Sequence, residues 1–532
     1  MKIFNLYKSI GVLALAITLL TSCSEDQYWN DNPLNDPTAP STLPALTSGN
    51  ADFSNYVSLG ASFSAGEISG SVFIKSQEYS FPNLLAEAFS NTVTLTDAGT
   101  EGFFSQPMVN DNIGGLLLNG EVYYRPRLYF NGQAPAYLDA TPTTEISNIL
   151  TGPFNNMGVS GIKSYQFQKQ GFGNIAELGS GANPYFVRMA SSPSATVLED
   201  AVSQDPTFFT ISVMGGNDVL SYATSGGAYG IDQIGNQDTS TYSPYDITDP
   251  TAFNNAITGV VSALTANGAK GVLSNVPYVT DLPFFNYVPF DALAPGLVDQ
   301  PTIELLNAQL YGLLNGIFTA YGEPNRVNLL SLTDANPVLI QDNDATDFSA
   351  QITGYLLTLG FPAETAGAYG AIFGQARQTT ENDLILLSAS GAIGAPVLGA
   401  PEPLNIAGIS NPLANQYVLT DIETQKSNDA TDAFSQIVQN LATEYGLAFV
   451  DLRFVLAEAA TAGIMFDEFN LNADFITGGL VSVNGIHLTA RGYALMANEF
   501  LEQIDATYGS NFGASGSMVK AGNFVVFYPE GL

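Results

Sequence analysis

The chain has 532 residues, 45% of them hydrophobic, with 50 acidic side chains against 15 Lys and Arg and a formal net charge of −35. That length and apolar content allow one large core or two moderate ones, and the scarcity of bases argues against binding nucleic acid, whose phosphates need cationic partners. An anionic membrane surface or polyanionic substrate would also be repelled unless a basic patch intervened; Arg125, Arg127 and Arg188 are the few candidates, and surface or ion-pair roles are their simpler reading.

At the N-terminus Lys2 and Lys8 precede an apolar run from Ile10 to Leu20, too short to span a bilayer but suited to an export signal over residues 1–22. The run ends in Leu20-Thr21-Ser22-Cys23, which resembles the bacterial lipobox and implies cleavage before Cys23 and lipidation there. No second cysteine exists to pair with Cys23. Acyl chains in combination anchor a protein firmly, so the expected partner is a membrane reached through lipid at Cys23. The expected location is the cell envelope, at the outer membrane. Cys23-Ser24-Glu25-Asp26 is also similar to surface-export signals of Bacteroidetes lipoproteins, which leaves the cell surface open. Residues 23–52 are rich in Asn, Asp, Pro, Ser and Thr without apolar periodicity and read as a tether, with the folded domain covering 53–532.

Within that domain Asn55 to Leu59 reads as a strand stopped by Gly60, and Phe81 to Phe89 as a helix. Thr207 to Val213 is an apolar strand ending at Gly215-Gly216, as suits a parallel sheet covered on both faces. A helix is expected from Pro250 to Ala266, capped by Asp249, then a strand from Gly271 to Asn275. Ala430 to Glu444 reads as a helix, Gly446 to Leu452 as a strand and Ala490 to Ile504 as the closing helix. The alternation predicts an α/β fold, a three-layer α/β/α sandwich around a central parallel sheet. Residues 290–420 fit it poorly. They contain a helix from Ile303 to Tyr321 and a strand-like Leu384 to Leu387, and read as a long insertion or cap, with a separate small domain as the alternative.

Four islands carry candidate chemistry. Gly60-Ala61-Ser62-Phe63-Ser64 follows the first strand, where a hydroxyl at a strand's C-terminal end faces a ligand crevice. Asn156-Met157-Gly158-Val159-Ser160-Gly161 and Gly215-Gly216-Asn217-Asp218 offer open backbone N–H groups and a donor amide. Asn484-Gly485-Ile486-His487 holds the only histidine of the chain, the one imidazole able to act as a base near neutral pH.

In this order the islands resemble the four blocks of the GDSL, or SGNH, hydrolase superfamily, from about Tyr56 to Phe500, with closest similarity to its Bacteroidetes lipoprotein branch. The resemblance implies a flavodoxin-like sandwich in which Ser62 is the nucleophile and His487 the general base. It implies an oxyanion hole from the Ser62 amide, Gly161 and Asn217, and the reaction of a carboxylic-ester hydrolase: an esterase, a lipase or a carbohydrate O-deacetylase.

Two positions depart from that pattern. Ala61 stands where the family has Asp before the nucleophile, a turn-supporting position. Asn484 stands where a catalytic Asp would accept from the imidazole; its amide oxygen could still accept that bond, without charge. In a serine protease the corresponding Asp→Asn change lowers turnover about 10⁴-fold. Asp218, Asp467 or Asp474 could supply the missing acid, a Ser-His dyad could suffice, or the protein could be a weakly active or non-catalytic surface lipoprotein that holds glycan or lipid in the same crevice. The aromatic stretch from Leu282 to Phe290 could line an acyl pocket, touch lipid or fill the core. A lone His and a lipidated Cys leave only oxygen ligands, so no metal or cofactor is expected. The expected partner in solution is a small-molecule or glycan ester.

Overall fold

The computed structural model describes residues 43–93, 103–400 and 402–532. The expected signal segment 1–22, Cys23 and most of the expected tether lie outside the described residues. Residues 46–513 and 517–532 form one compact unit, while 43–45 and 514–516 belong to a second. The end of the expected tether is already bonded within the main unit: Thr47 N donates to Asn511 Oδ1, Asn50 N to Tyr508 O, and Ala51 is buried.

Apolar runs become the central strands. β1 (Tyr56–Gly60) and β3 (Phe208–Ser212) are buried at every position, as expected for strands covered on both faces. Together with β2 (Asn156–Gly158), β4 (Lys270–Ser274) and β5 (Ala448–Val450) they make one five-stranded parallel sheet in the order β5-β4-β3-β1-β2. The order reverses between β1 and β3, so the connections leaving these two strands diverge and open a crevice at their C-terminal ends.

Helices cover the sheet in two layers. α1 (Ser62–Ala65) is a single turn after β1, and α2 (Phe81–Ser90) lies against the closing helix. α3 (Gly216–Ala223) follows β3, and α4 (Pro250–Thr265) starts where the Asp249 carboxylate accepts from Thr251 N and Ala252 N. α5 (Asp421–Tyr445) packs on α3 and α4, with Phe253 and Phe434 stacked at 4.2 Å. α6 (Leu452–Thr461) follows β5. α7 (Ala490–Tyr508) closes the fold over α2, where Phe81 and Phe500 meet at 5.0 Å. The result is the α/β/α sandwich.

α5 begins nine residues before the apolar pattern suggested. Its first turns are polar, and a reciprocal capping box between Thr420 and Glu423 starts them. α7 runs on to Tyr508, whose hydroxyl accepts from Ala448 N and donates to Gly271 O, tying β5 to β4. The helix expected from Ile303 to Tyr321 begins at Gln300 and widens by one π turn over Asn307–Tyr311 before continuing to Ala320. The Asn307 side chain there bonds both Leu330 N and Leu330 O.

Residues 293–418 hold a hydrophobic cluster of their own, from Leu293 to Val418. Arg377 is bonded inside it to Asp342 and Asp383. The three arginines considered for a basic patch do not form one. Arg127 is buried and donates to the carbonyls of Asn112 and Pro529, Arg188 is buried and donates to Met108 O, and Arg125 lies over the Tyr137 ring. No described helix is long and apolar enough to cross a membrane.

Candidate active site

The serine turn is shaped by glycine and by sheet register. Gly60 pairs with Ser212 on one side and Gly158 on the other. Its φ is +156°, and a Cβ there would lie 2.2 Å from Ser64 Oγ and 2.9 Å from Ser212 O, so only glycine fits. Ser64 Oγ bonds Ser212 Oγ at 2.7 Å, and Asn156 Nδ2 donates to Ser64 O at 2.8 Å, which fixes α1 to both neighbouring strands. Gly158 lets α1 settle onto β2, since a Cβ there would meet Ala65 N at 2.4 Å.

Ser62, at the first position of α1, lines an apolar cavity of about 80 Å³ at the crevice between β1 and β3. Ser62 and Asn217 are the only polar side chains in its wall. Its wall includes Ala61 after β1, Val213 after β3, Leu220 of α3, Leu456 of α6, and Leu488 and Met496 at the closing helix. Val213 takes φ +48°, a conformation a β-branched residue adopts only where its surroundings impose it, and its N–H donates to Ser274 Oγ. That strain sits at the cavity rim. Of the expected aromatic lining, Leu282 alone reaches the cavity. Phe285 is buried in the core, and Tyr287 is more than half exposed and packs on Phe475 at 4.6 Å.

Asn217, the second residue of α3, donates from Nδ2 to Ile162 O at 3.0 Å, which leaves its second amide hydrogen for another acceptor. Gly161 lies at an exposed corner with φ +81° and is not part of the cavity wall. Asp218, one of the three acids considered for the imidazole, is fully buried and accepts from Ser164 N and Ser164 Oγ. It therefore pins the segment after Gly161 to α3. The other two serve elsewhere: Asp467 accepts from Ala521 N and faces Lys520, and Asp474 is exposed.

The acid at the imidazole is Glu67. Gly66, in the left-handed region at φ +78°, ends the serine turn, and Glu67 N donates back to Ser62 O. This brings Glu67 Oε1 to 3.5 Å from His487 Nδ1, while Glu67 Oε2 accepts from Ser160 Oγ. Sequence reasoning passed over Glu67. Its only local sign is that it is the sole acid between Asp52 and Glu78, directly after the serine island.

The amide of Asn484 does not play the part of an acceptor. Its Oδ1 takes Ser482 Oγ–H and the N–H groups of Ile486 and His487, so Nδ2 is the atom that faces His487 Nδ1, at 2.7 Å. An amide nitrogen donates, and a ring that accepts at Nδ1 carries its proton on Nε2. His487 is 7% exposed, and Nε2 has no hydrogen-bond partner among the described residues; no bond joins it to Ser62. Burial holds the imidazole below its ordinary pKa, against a smaller upward pull from Glu67. Phe63 packs beside the ring at 5.5 Å, and Ile486 and Leu488, which flank His487, belong to the cavity wall with Ser62.

Compared with known proteins, the chain matches no family model, no curated protein and no solved structure.

Proposed function

We propose that the protein is a serine-dependent carboxylic-ester hydrolase of GDSL type, held at the cell envelope by lipid on Cys23. The observation that carries this reading is the cavity: a hydroxyl and a donor amide, from the ends of the two strands that flank the sheet's reversal, are the only polar groups in an apolar wall. Such a wall suits a neutral acyl group, and the two polar groups suit the carbonyl that ends it.

Ser62 Oγ gives its proton to His487 Nε2 as it bonds the acyl carbon, and the carbonyl electron pair moves onto oxygen. Asn217's free N–H and the Ser62 amide are the donors for that oxyanion, while Gly161, outside the cavity wall, would have to move in to add a third; losing one such donor typically costs about 2.7–4 kcal/mol of barrier. Collapse breaks the ester bond, and the departing alkoxide takes the proton from Nε2. Water then repeats the sequence on the acyl-enzyme and releases the acid. No hydrogen bond joins Ser62 to His487 in this structure, and the Asn484 contact favours a proton on Nε2, so the transfer requires both a closer approach of Ser62 to Nε2 and the other ring tautomer, in keeping with catalytic contacts that tighten only when substrate is bound.

At about 80 Å³ the apolar cavity has room for a short acyl group, and a longer chain would have to extend out of its open side. The test is hydrolysis of p-nitrophenyl acetate, butyrate, octanoate and palmitate, alongside acetylated sugars. Turnover should be greatest for the short acyl chains and nearly abolished in Ser62→Ala and His487→Ala; a His487→Ala protein with the wild-type rate contradicts the mechanism.

The second reading, a non-catalytic binder of glycan or lipid, draws support from one contact: Asn484 donates to the nitrogen whose proton a general base would need in place. It predicts no turnover in the same panel.

A further inference from the structure

Two groups meet the only imidazole of this chain at the same nitrogen, and they ask opposite things of it. We infer that Glu67 is the carboxylate that orients and charges His487, in place of the acid missing at position 484, and that Asn484 opposes it by favouring the other neutral tautomer. The inference rests on the hydrolase reading for its catalytic consequence, but not for the contact itself.

Asn484 Oδ1 is committed to three donors, two of them backbone N–H groups, so the amide cannot turn over without leaving those donors unsatisfied. Its Nδ2 therefore stays at Nδ1 and favours a proton on Nε2. A base for Ser62 needs the reverse: a lone pair on Nε2 and a proton on Nδ1. The carboxylate oxygen that approaches that Nδ1 is Glu67 Oε1, at 3.5 Å, an ion-pair distance that must shorten for the proton to be bonded.

Glu67 is itself well held. Ser160 Oγ donates to Oε2, the Glu67 N–H is bonded to Ser62 O, and its carbonyl accepts from Tyr493 OH. Its titratable neighbours are phenols. Burial pushes Tyr124 up to about 12, with Tyr123 and then the Glu67 charge adding to it, and it pushes Tyr185 and Tyr493 well up, with the Glu67 charge next. All three stay neutral near pH 7, which leaves Glu67 as the charged group that acts on the ring.

The proton balance is simple. Exchange with water moves the ring proton from Nε2 to Nδ1, where it is donated to Glu67. Ser62 Oγ–H then passes its proton to Nε2, giving an imidazolium whose Nδ1–H is donated to the Glu67 carboxylate. Glu67 is thus a positioning residue, acting through His487.

Because the chain has one histidine, its imidazole ¹⁵N signals need no assignment among rivals. The experiment titrates those signals in the intact protein, in Glu67→Gln, in Asn484→Asp and in the double variant, and measures butyrate ester hydrolysis in each. Removing the charge should lower the imidazole pKa by about one unit or more. In Glu67→Gln the Nε2–H tautomer should also predominate, and kcat should fall about 10²- to 10⁴-fold with little change in KM. Asn484→Asp turns the opposing donor into an acceptor, so it should raise the pKa, and in the double variant it should restore kcat to within about tenfold of wild type.

A purely structural role for Glu67 would show no such rescue, and unchanged ¹⁵N shifts and pKa in a folded Glu67→Gln protein overturn the inference. Should Glu67→Gln not fold, Asn484→Asp alone decides: a populated Nδ1–H form supports the account, and an unchanged tautomer overturns it. A wild-type protein that hydrolyses no ester while the shifts move as expected removes the hydrolase reading and leaves Glu67 as the ring's charge partner.

Discussion

Around Ser62 the backbone is tied to strands on both sides, through Ser64 to Ser212 and through Asn156 to Ser64, with glycines at 60 and 158 where any side chain would collide. Around His487 the ties end in a conflict: Asn484 donates to Nδ1, Glu67 approaches the same atom, and Nε2 is buried without a partner among the described residues. The serine turn is held in one arrangement, whereas the imidazole sits between two groups that favour different protonation patterns. A buried, unpartnered nitrogen costs about 1–3 kcal/mol, which a fold tolerates more readily where a ligand or a turning hydroxyl can supply the missing contact.

That contrast can be broken from the serine side. Asn217→Ala should lower kcat about 10²- to 10³-fold with KM nearly unchanged, as expected for a donor used only by the oxyanion; steady-state kinetics on the butyrate ester would show it. An equal rise in KM would instead make Asn217 a ground-state binding group. The smaller expected effect concerns the scaffold. Gly60→Ala places a methyl against Ser64 Oγ and Ser212 O and should destabilise the fold by about 1–3 kcal/mol, measured by chemical denaturation. An undiminished midpoint would show that the serine turn is looser than its contacts imply.

The sandwich was readable because its central strands are apolar runs bounded by glycine, and β1, β3 and β4 lie within a residue or two of where those runs place them. β2 was not readable: Asn156-Met157-Gly158 has no strand signature and is a strand only because β1 supplies its partner. The start of α5 escaped because its first turns are polar and only the Thr420–Glu423 box announces them. At the site, Ser62, Asn217 and His487 were visible as islands, since local turns need glycine and asparagine there. Glu67 was not, because its contact with His487 joins opposite ends of the chain and depends on how Gly66 redirects the backbone. The departure at Asn484 was visible, but the direction of its amide was not. That direction is decided by the backbone N–H groups of Ile486 and His487.

The central claim is that Ser62 is a nucleophile activated in this crevice. Labelling the full chain with a fluorophosphonate and mapping the adduct by peptide mass spectrometry tests it most directly. Modification at Ser62, lost in Ser62→Ala and strongly slowed in His487→Ala, is the predicted result. A folded wild-type protein that takes up no label, or takes it up at another serine, would contradict the account.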